Sequence, residues 1–234
     1  MPRPTYVNAN VNRANYDSVT PIAWNNLGGD WWDAAYTANG STPWASQTVV
    51  DTDTPRAVNF DVTTLFQAIY DNPNHLSAVI VCGAGGSATE WAAADNADSA
   101  KRPKIIYDGG ADTAITEDTG LENTSFAGNP TAPLLNVIPD LGTTTYKRII
   151  LNVPPPATRP TSATLTLYTT QQFGNVSNQV FWLRYPPESA PTLPYSTRIT
   201  WAEAQYQASG VPSVTDYSSP MSRGIFRGIE RGVA

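Results

Sequence analysis

The chain has 234 residues and a formal net charge of −6, with only 15% of its residues charged. That balance excludes a nucleic-acid binder, because phosphate contacts need clustered Lys and Arg, and the three lysines (Lys101, Lys104, Lys147) make no such cluster. A single cysteine, Cys82, excludes an intrachain disulfide and any cysteine-based zinc site.

The composition leans to short strands: 11 Tyr and 7 Trp among many Thr and Val, punctuated by 20 Pro and 16 Gly. The opening segment, MPRPTYVNANVNRANYD, lacks the apolar stretch of a secretory signal, and no run reaches membrane-spanning length. With Met1 present, the expectation is a protein made and used without general secretory export.

Tryptophans and carboxylates crowd the first predicted loops. Asp30 and Asp33 flank Trp31 and Trp32, and Asp51 and Asp53 lie on one side of an extended VDTDT. Oxygen-rich loops of this kind can hold a structural Ca²⁺, and the same carboxylates also serve simply to cap turns. Trp31, Trp32, Trp44 and Trp91, like Trp24, fall in or beside presumed loops. Exposed, they would stack on sugar rings; buried, they would fill the core or a subunit contact.

The stretch NFDVTTLFQAIYDNPNHLSAVIV, residues 59–81, predicts strand, short helix, turn and strand. Asp61 is placed to accept first-turn N–H groups. Val62, Leu65, Phe66 and Ile69 fall at i, i+3, i+4 and i+7, on one apolar face. Asp71-Asn72-Pro73-Asn74 ends the helix, since proline disfavours an α conformation in the residue before it. Leu76–Val81 then reads as a buried strand. His75, the sole histidine, sits in the turn, where a polar residue finishes a helix and no triad partner is legible. Cys82, in AVIVCG, reads as a buried small hydrophobe. Gly83-Ala84-Gly85-Gly86 lacks the Lys-Ser/Thr of a phosphate loop and reads as an inter-strand connection.

Downstream, RIILNV, Arg148–Val153, is a more continuous apolar run, as in a central strand covered on both sides. Pro154-Pro155-Pro156 cannot join a ladder and must connect. In SATLTLYT, Ala163, Leu165, Leu167 and Thr169 share one face and Thr164, Thr166 and Tyr168 the other. Val180–Arg184 supplies a further strand.

Residues 55–108, with a DVT-led helix, an apolar strand, a loop and the closing Arg102-Pro103-Lys104-Ile105-Ile106-Tyr107, resemble the second half of the DNRLRE-type (disaggregatase-related) β-sandwich domain. Ala23-Trp24 and Gly28-Gly29-Asp30-Trp31 are similar to that family's middle. The family's front half looks displaced downstream, in Lys147–Val153, Thr161–Tyr168, Val180–Arg184 and Arg198–Glu203. The resemblance implies one permuted sandwich over 1–205: back half 20–108, linker 109–120 (GGADTAITEDTG), front half 121–205. Permutation is tolerated where termini lie close at the surface. The rival is two incomplete modules, each completed by a neighbouring subunit. The expected fold is an all-β, antiparallel, jelly-roll-like sandwich with one short helix and an extended C-terminal tail.

That tail, residues 206–234, ends in RGIF-RGIE-RGVA, aligning Arg223, Arg227 and Arg231 with Ile225, Ile229 and Val233, and with Phe226 beside them. Glycine at every fourth position weakens an isolated helix by about 1 kcal/mol each. Arg223, Ile225, Phe226, Arg227, Ile229 and Arg231 are therefore expected to order on a partner; the alternative is a frayed terminus. No catalytic residue can be named. The expected role is non-enzymatic: a structural component of a large assembly, a tailed-phage virion in particular, contacting other virion proteins and its own copies. No cofactor is implied beyond a structural Ca²⁺. The alternative is a carbohydrate-binding module for an extracellular or cell-surface polysaccharide, as the family resemblance also implies.

Overall fold

The computed structural model describes residues 15–17, 22–24, 29–50, 55–85, 88–122, 131–139, 146–184 and 191. All fall within one compact unit, Met1–Pro191; the second unit, Thr192–Ala234, lies outside the described residues, and with it Arg198–Glu203 and the tail.

The described residues form fourteen strands: β1 (Asn15–Asp17), β2 (Ile22–Ala23), β3 (Trp31–Trp32), β4 (Ala45–Val49), β5 (Arg56–Asp61), β6 (Ala78–Ala84), β7 (Ala88–Ala92), β8 (Lys104–Tyr107), β9 (Thr113–Ala114), β10 (Glu117–Glu122), β11 (Leu134–Val137), β12 (Lys147–Asn152), β13 (Ala163–Phe173) and β14 (Val176–Leu183). Among the described residues, a helix, α1 (Thr63–Asp71), and a short 3-10 turn at Ser99–Lys101 accompany them. β1 and β2 form a small ribbon; the other strands make two six-stranded antiparallel sheets. The protein is an all-β sandwich.

Sheet I runs β10, β12, β6, β14, with β4 and β3 following one another along the far edge of β14. In sheet II, β5 lines one edge of β13 while β8 and β7 share the other, with β9 beyond β8 and β11 beyond β7. From β5 to β14 the chain mostly steps from one sheet to the other. Gly174, at φ +71°, turns it from β13 into β14 without pairing the two, a backbone conformation glycine adopts cheaply. The helix makes the step from β5 to β6.

Residues of 20–108 and 121–205 interleave. β6 lies between β12, where Ile150 faces Ile80, and β14, where Val180 faces Val81. In β13, Leu165 faces Phe60 on one side and Ile105 on the other. One core within a single chain results, holding Val79, Val81, Ile105, Ile149, Leu151, Leu165, Leu167 and Trp182.

The helix behaves as its pattern dictates. Asp61 Oδ1 accepts the N–H (3.0 Å) and hydroxyl (2.6 Å) of Thr63, and these bonds, the hydroxyl's first, hold the carboxyl below its ordinary range. Val62, Leu65, Phe66 and Ile69 are all fully buried, each contributing about 1.5–3 kcal/mol. The helix stops at Asp71, and Asn72 Nδ2 turns back to donate to Ala68 O (2.8 Å).

Three expectations need correction. Residues 109–120 are not a plain linker: β9 and the start of β10 fall there, and β10 pairs along the whole of β12 despite its acidic, strand-poor composition. Gly83 and Ala84 belong to β6, and a Cβ at Gly83 would press on Pro139 and Val137. Cys82 is only partly buried, at the margin of a second apolar cluster; burial pushes its thiol up, with Arg148 opposing.

Candidate functional site

Between β3 and β4 the chain makes a loop organised by one side chain. Asp33 is 3% exposed, and its Oδ1 accepts the backbone N–H groups of Ala35 (2.9 Å) and Thr37 (2.7 Å). Its Oδ2 accepts that of Thr42 (3.2 Å). Three N–H dipoles on one carboxylate offset the cost of burying it. A Cβ at Gly40 would collide with Asp33 Oδ2, so this position requires glycine. Asp30, fully buried, accepts from Asn39 Nδ2 (3.2 Å), and Asn39 Oδ1 accepts the Trp31 N–H (3.0 Å).

This hub holds Tyr36 at φ +60°, in the left-handed region, at a cost of about 1–2 kcal/mol for a residue with a Cβ. The Tyr36 ring stands edge-on to Trp44, centroids 5.3 Å apart at 81°. Trp44 is fixed in turn: its Nε1 donates to Trp32 O (3.1 Å) and its backbone N–H to Val180 O (3.0 Å). Its ring meets Trp182 edge-on at 6.4 Å, and Trp182 lies 5.3 Å from His75. Four rings thus lead from the core to a half-buried end at Tyr36 and Trp44.

Two further segments come within electrostatic reach of Tyr36. The helix ends at Asp71, and the connector between β12 and β13 brings Arg159, whose Nε donates to Asp71 Oδ1 (3.1 Å) and Oδ2 (3.2 Å). Gln67 Nε2 donates to Pro160 O (2.9 Å), clamping the connector onto the helix. The Tyr36 phenol is pushed above its ordinary range by burial first and the Asp71 carboxylate second, with Arg159 opposing. Tyr36, Asp71 and Arg159 thus bring an aromatic ring and an ion pair from three segments within electrostatic reach of one another.

The residues named from sequence fare differently. Trp32 and Trp91 are 4% and 1% exposed, both within the sandwich core, and present no face to a sugar. The expectation for them is corrected: β3 and β7 aim these side chains inward. Trp31 is half-buried, tilted on Phe181 at 5.4 Å, with the Arg148 guanidinium 4.9 Å from its ring. Trp44 stands edge-on to Tyr36. Asp30 and Asp33 serve the loop itself. Among the described residues no group of three His, Cys, Asp or Glu is gathered to hold a metal ion. Asp51, Asp53 and the tail residues Arg223, Ile225, Phe226, Arg227, Ile229 and Arg231 lie outside the described residues. His75 is a buried neighbour of Trp182.

Sequence reasoning missed Tyr36, Asp71 and Arg159. The run Asp33-Ala-Ala-Tyr-Thr-Ala-Asn-Gly40 announces a loop through its Asp and its Asn-Gly, but not which residue takes the left-handed turn. No family model, curated protein or solved structure matches this chain. The resemblance to the DNRLRE-type domain therefore rests on its quoted motifs alone.

Proposed function

We propose that this chain is a non-enzymatic structural module of a larger assembly, a tailed-phage virion component in particular, which docks through residues 221–234. The observation that carries this reading is the threefold Arg-Gly-Ile/Val repeat set against an acidic body. Residues 1–222 hold 11 basic and 19 acidic side chains, a net of −8, while the last twelve residues are net +2. The repeat matches a basic stripe to an apolar one, and its glycines oppose a helix standing alone. An acidic surface on a neighbouring copy or another protein is the complementary partner. Exposed ion pairs contribute little each, so Ile225, Phe226 and Ile229 supply most of the binding energy. The consumption of Asp30 and Asp33 in turn-building, and of Trp32 and Trp91 in the core, supports a scaffold over a hydrolase or a tryptophan-lined glycan cleft.

The test is deletion of 221–234. The sandwich keeps its melting temperature, while incorporation into the parent particle, measured by co-sedimentation, is lost. Incorporation at wild-type stoichiometry would place docking on the sandwich and sink the reading.

A further inference from the structure

We infer that the outer edge of β4 pairs with the same edge of a second copy of this chain, antiparallel about a two-fold axis at Gln47, so that sheet I runs on from one copy into the next. Among the described residues β4 pairs with β14 alone, so the N–H and C=O groups on its other side are those of a sheet edge. Edges are ordinarily guarded by shortness, charge or cover. β3 and β9 are two residues long, and Ala38 bridges to Trp32 on the outer side of β3. β10 carries Glu117, Asp118 and Glu122, β5 has Arg56 and Asp61 at its ends, and β11 runs on into a bridge between Ile138 and Lys147. β4, ASQTV, is five residues long without a charge, a proline or a glycine. Ser46, Gln47 and Thr48 are exposed one after another, so neither face of the strand is covered there.

The order of side chains selects the partner. An antiparallel two-fold centred on Gln47 sets Ala45 opposite Val49 of the other copy, Ser46 opposite Thr48, and Gln47 opposite Gln47. The five residues read apolar, hydroxyl, amide, hydroxyl, apolar, so the strand matches its own reverse. Opposed hydroxyls and opposed amides each supply a donor and an acceptor, with Cβ atoms about 4.5–5.5 Å apart. With no charge on the strand, nothing repels the second copy. Space is left for it as well. Ala45 and Val49 lie on the inward face, where Val49 is fully buried; Gln47 shares that face yet is exposed, so sheet II does not overhang the edge at the axis. Five pairs make a small contact against the roughly 1,200–2,000 Å² of a stable interface, so it is weak between two free molecules and gains from multivalency in an assembly. The pairing uses neither the tail nor the tail's partner, and it stands whatever deletion of 221–234 does to incorporation.

The experiment is sedimentation equilibrium of the full-length protein from about 10 µM to about 1 mM. The wild type is expected to dimerise with a Kd on the order of 0.1 mM. Gln47→Lys and Gln47→Glu, both at an exposed position, should each weaken that association about tenfold by setting like charges opposite one another. An equimolar mixture of the two variants should restore it, because opposite charges then meet at the axis. Should either disturb the fold, as judged by near-UV circular dichroism, Gln47→Arg or Gln47→Asp replaces it. A wild type that stays monomeric to about 1 mM, association as tight in Gln47→Lys as in the wild type, or a mixture no more associated than its components overturns the assignment.

Discussion

In sheet I, Ile149, Ile150 and Leu151 are three consecutive residues, all buried; in sheet II, Thr164 is half-buried on a polar face and Leu165 is buried in the core. The first run serves two clusters. Ile149 and Leu151 join Val79, Val81, Val180 and Trp182 between the sheets, whereas Ile150 joins Ile80, Phe181, Leu183 and Trp24 on the opposite face. A Cβ at Gly29, at φ +106°, would meet Ile80 Cδ1, so backbone lies directly over that face. Sheet II has one apolar face. Its other side carries Thr164 and Tyr168, both half-buried, and Thr166, buried and donating to Asn59 Oδ1 (2.9 Å). A sheet buried on both faces is written as an unbroken apolar run, and a sheet buried on one is written as alternation.

The contrast can be broken first at Ile150. Truncation to alanine should cost about 2–5 kcal/mol in urea unfolding, as Leu165→Ala should, because both side chains are fully buried. A cost under about 1 kcal/mol would mean that the outer cluster of sheet I is no core.

Next comes Asp118 in β10, whose side chain is 1% exposed and whose Oδ2 accepts the N–H of Ala94 (2.6 Å), joining sheet I to the chain that follows β7 of sheet II. Burial raises this carboxyl from 3.8 to about 6, the Ala94 bond opposing and Asp95 adding to the rise. The folded state thus binds the proton more tightly than the unfolded one. Stability from this group is complete below about pH 4 and lost as pH climbs through about 6, by about 3 kcal/mol at most. Asp118→Asn should flatten that slope and leave the protein more resistant to urea at pH 8 than the wild type. An unchanged slope would show that Asp118 keeps an ordinary pKa. The exposed turn carboxylates Asp61, Asp98 and Asp108 are shifted the other way by hydrogen bonds, those from Thr63, Lys101 and Thr161 first, so their contribution is lost at acid pH instead.

The smallest expected effect is on the polar side of sheet II, where Thr164 is half-buried. Thr164→Ala should change stability by no more than about 0.5 kcal/mol, one residue away from the costly Leu165→Ala. A loss comparable to that of Leu165 would mean that this polar face carries as much of the packing as the apolar one.

Much of the sandwich was written locally. The 3.6-residue spacing of Val62, Leu65, Phe66 and Ile69, the alternation of β13 and the run in β12 each name their own burial, because one element's pattern records the faces it must hide. The grouping of Tyr36, Asp71 and Arg159 was not written locally. These residues come from three separated segments, and their nearness depends on the sheet order, which no single segment encodes. Trp31 and Trp32 show the limit most sharply. They are adjacent and chemically identical, yet the pleat of a two-residue strand sends one to the core and leaves the other half-exposed.

The place of β6 between β12 and β14 also sets a timetable for synthesis. β6 ends at Ala84, but its flanking strands end at Asn152 and Leu183. At roughly 5–20 residues per second, the AVIVCGA segment spends roughly 5–20 s outside the ribosome before both neighbours exist. It is then an unpaired, β-branched, uncharged strand, the kind of segment that pairs with other chains. Because its partners are distant in sequence, closing this sheet is a slow, non-local event. Yield in a recombinant host should therefore respond more to chaperone supply and growth temperature than to the stability of the finished sandwich.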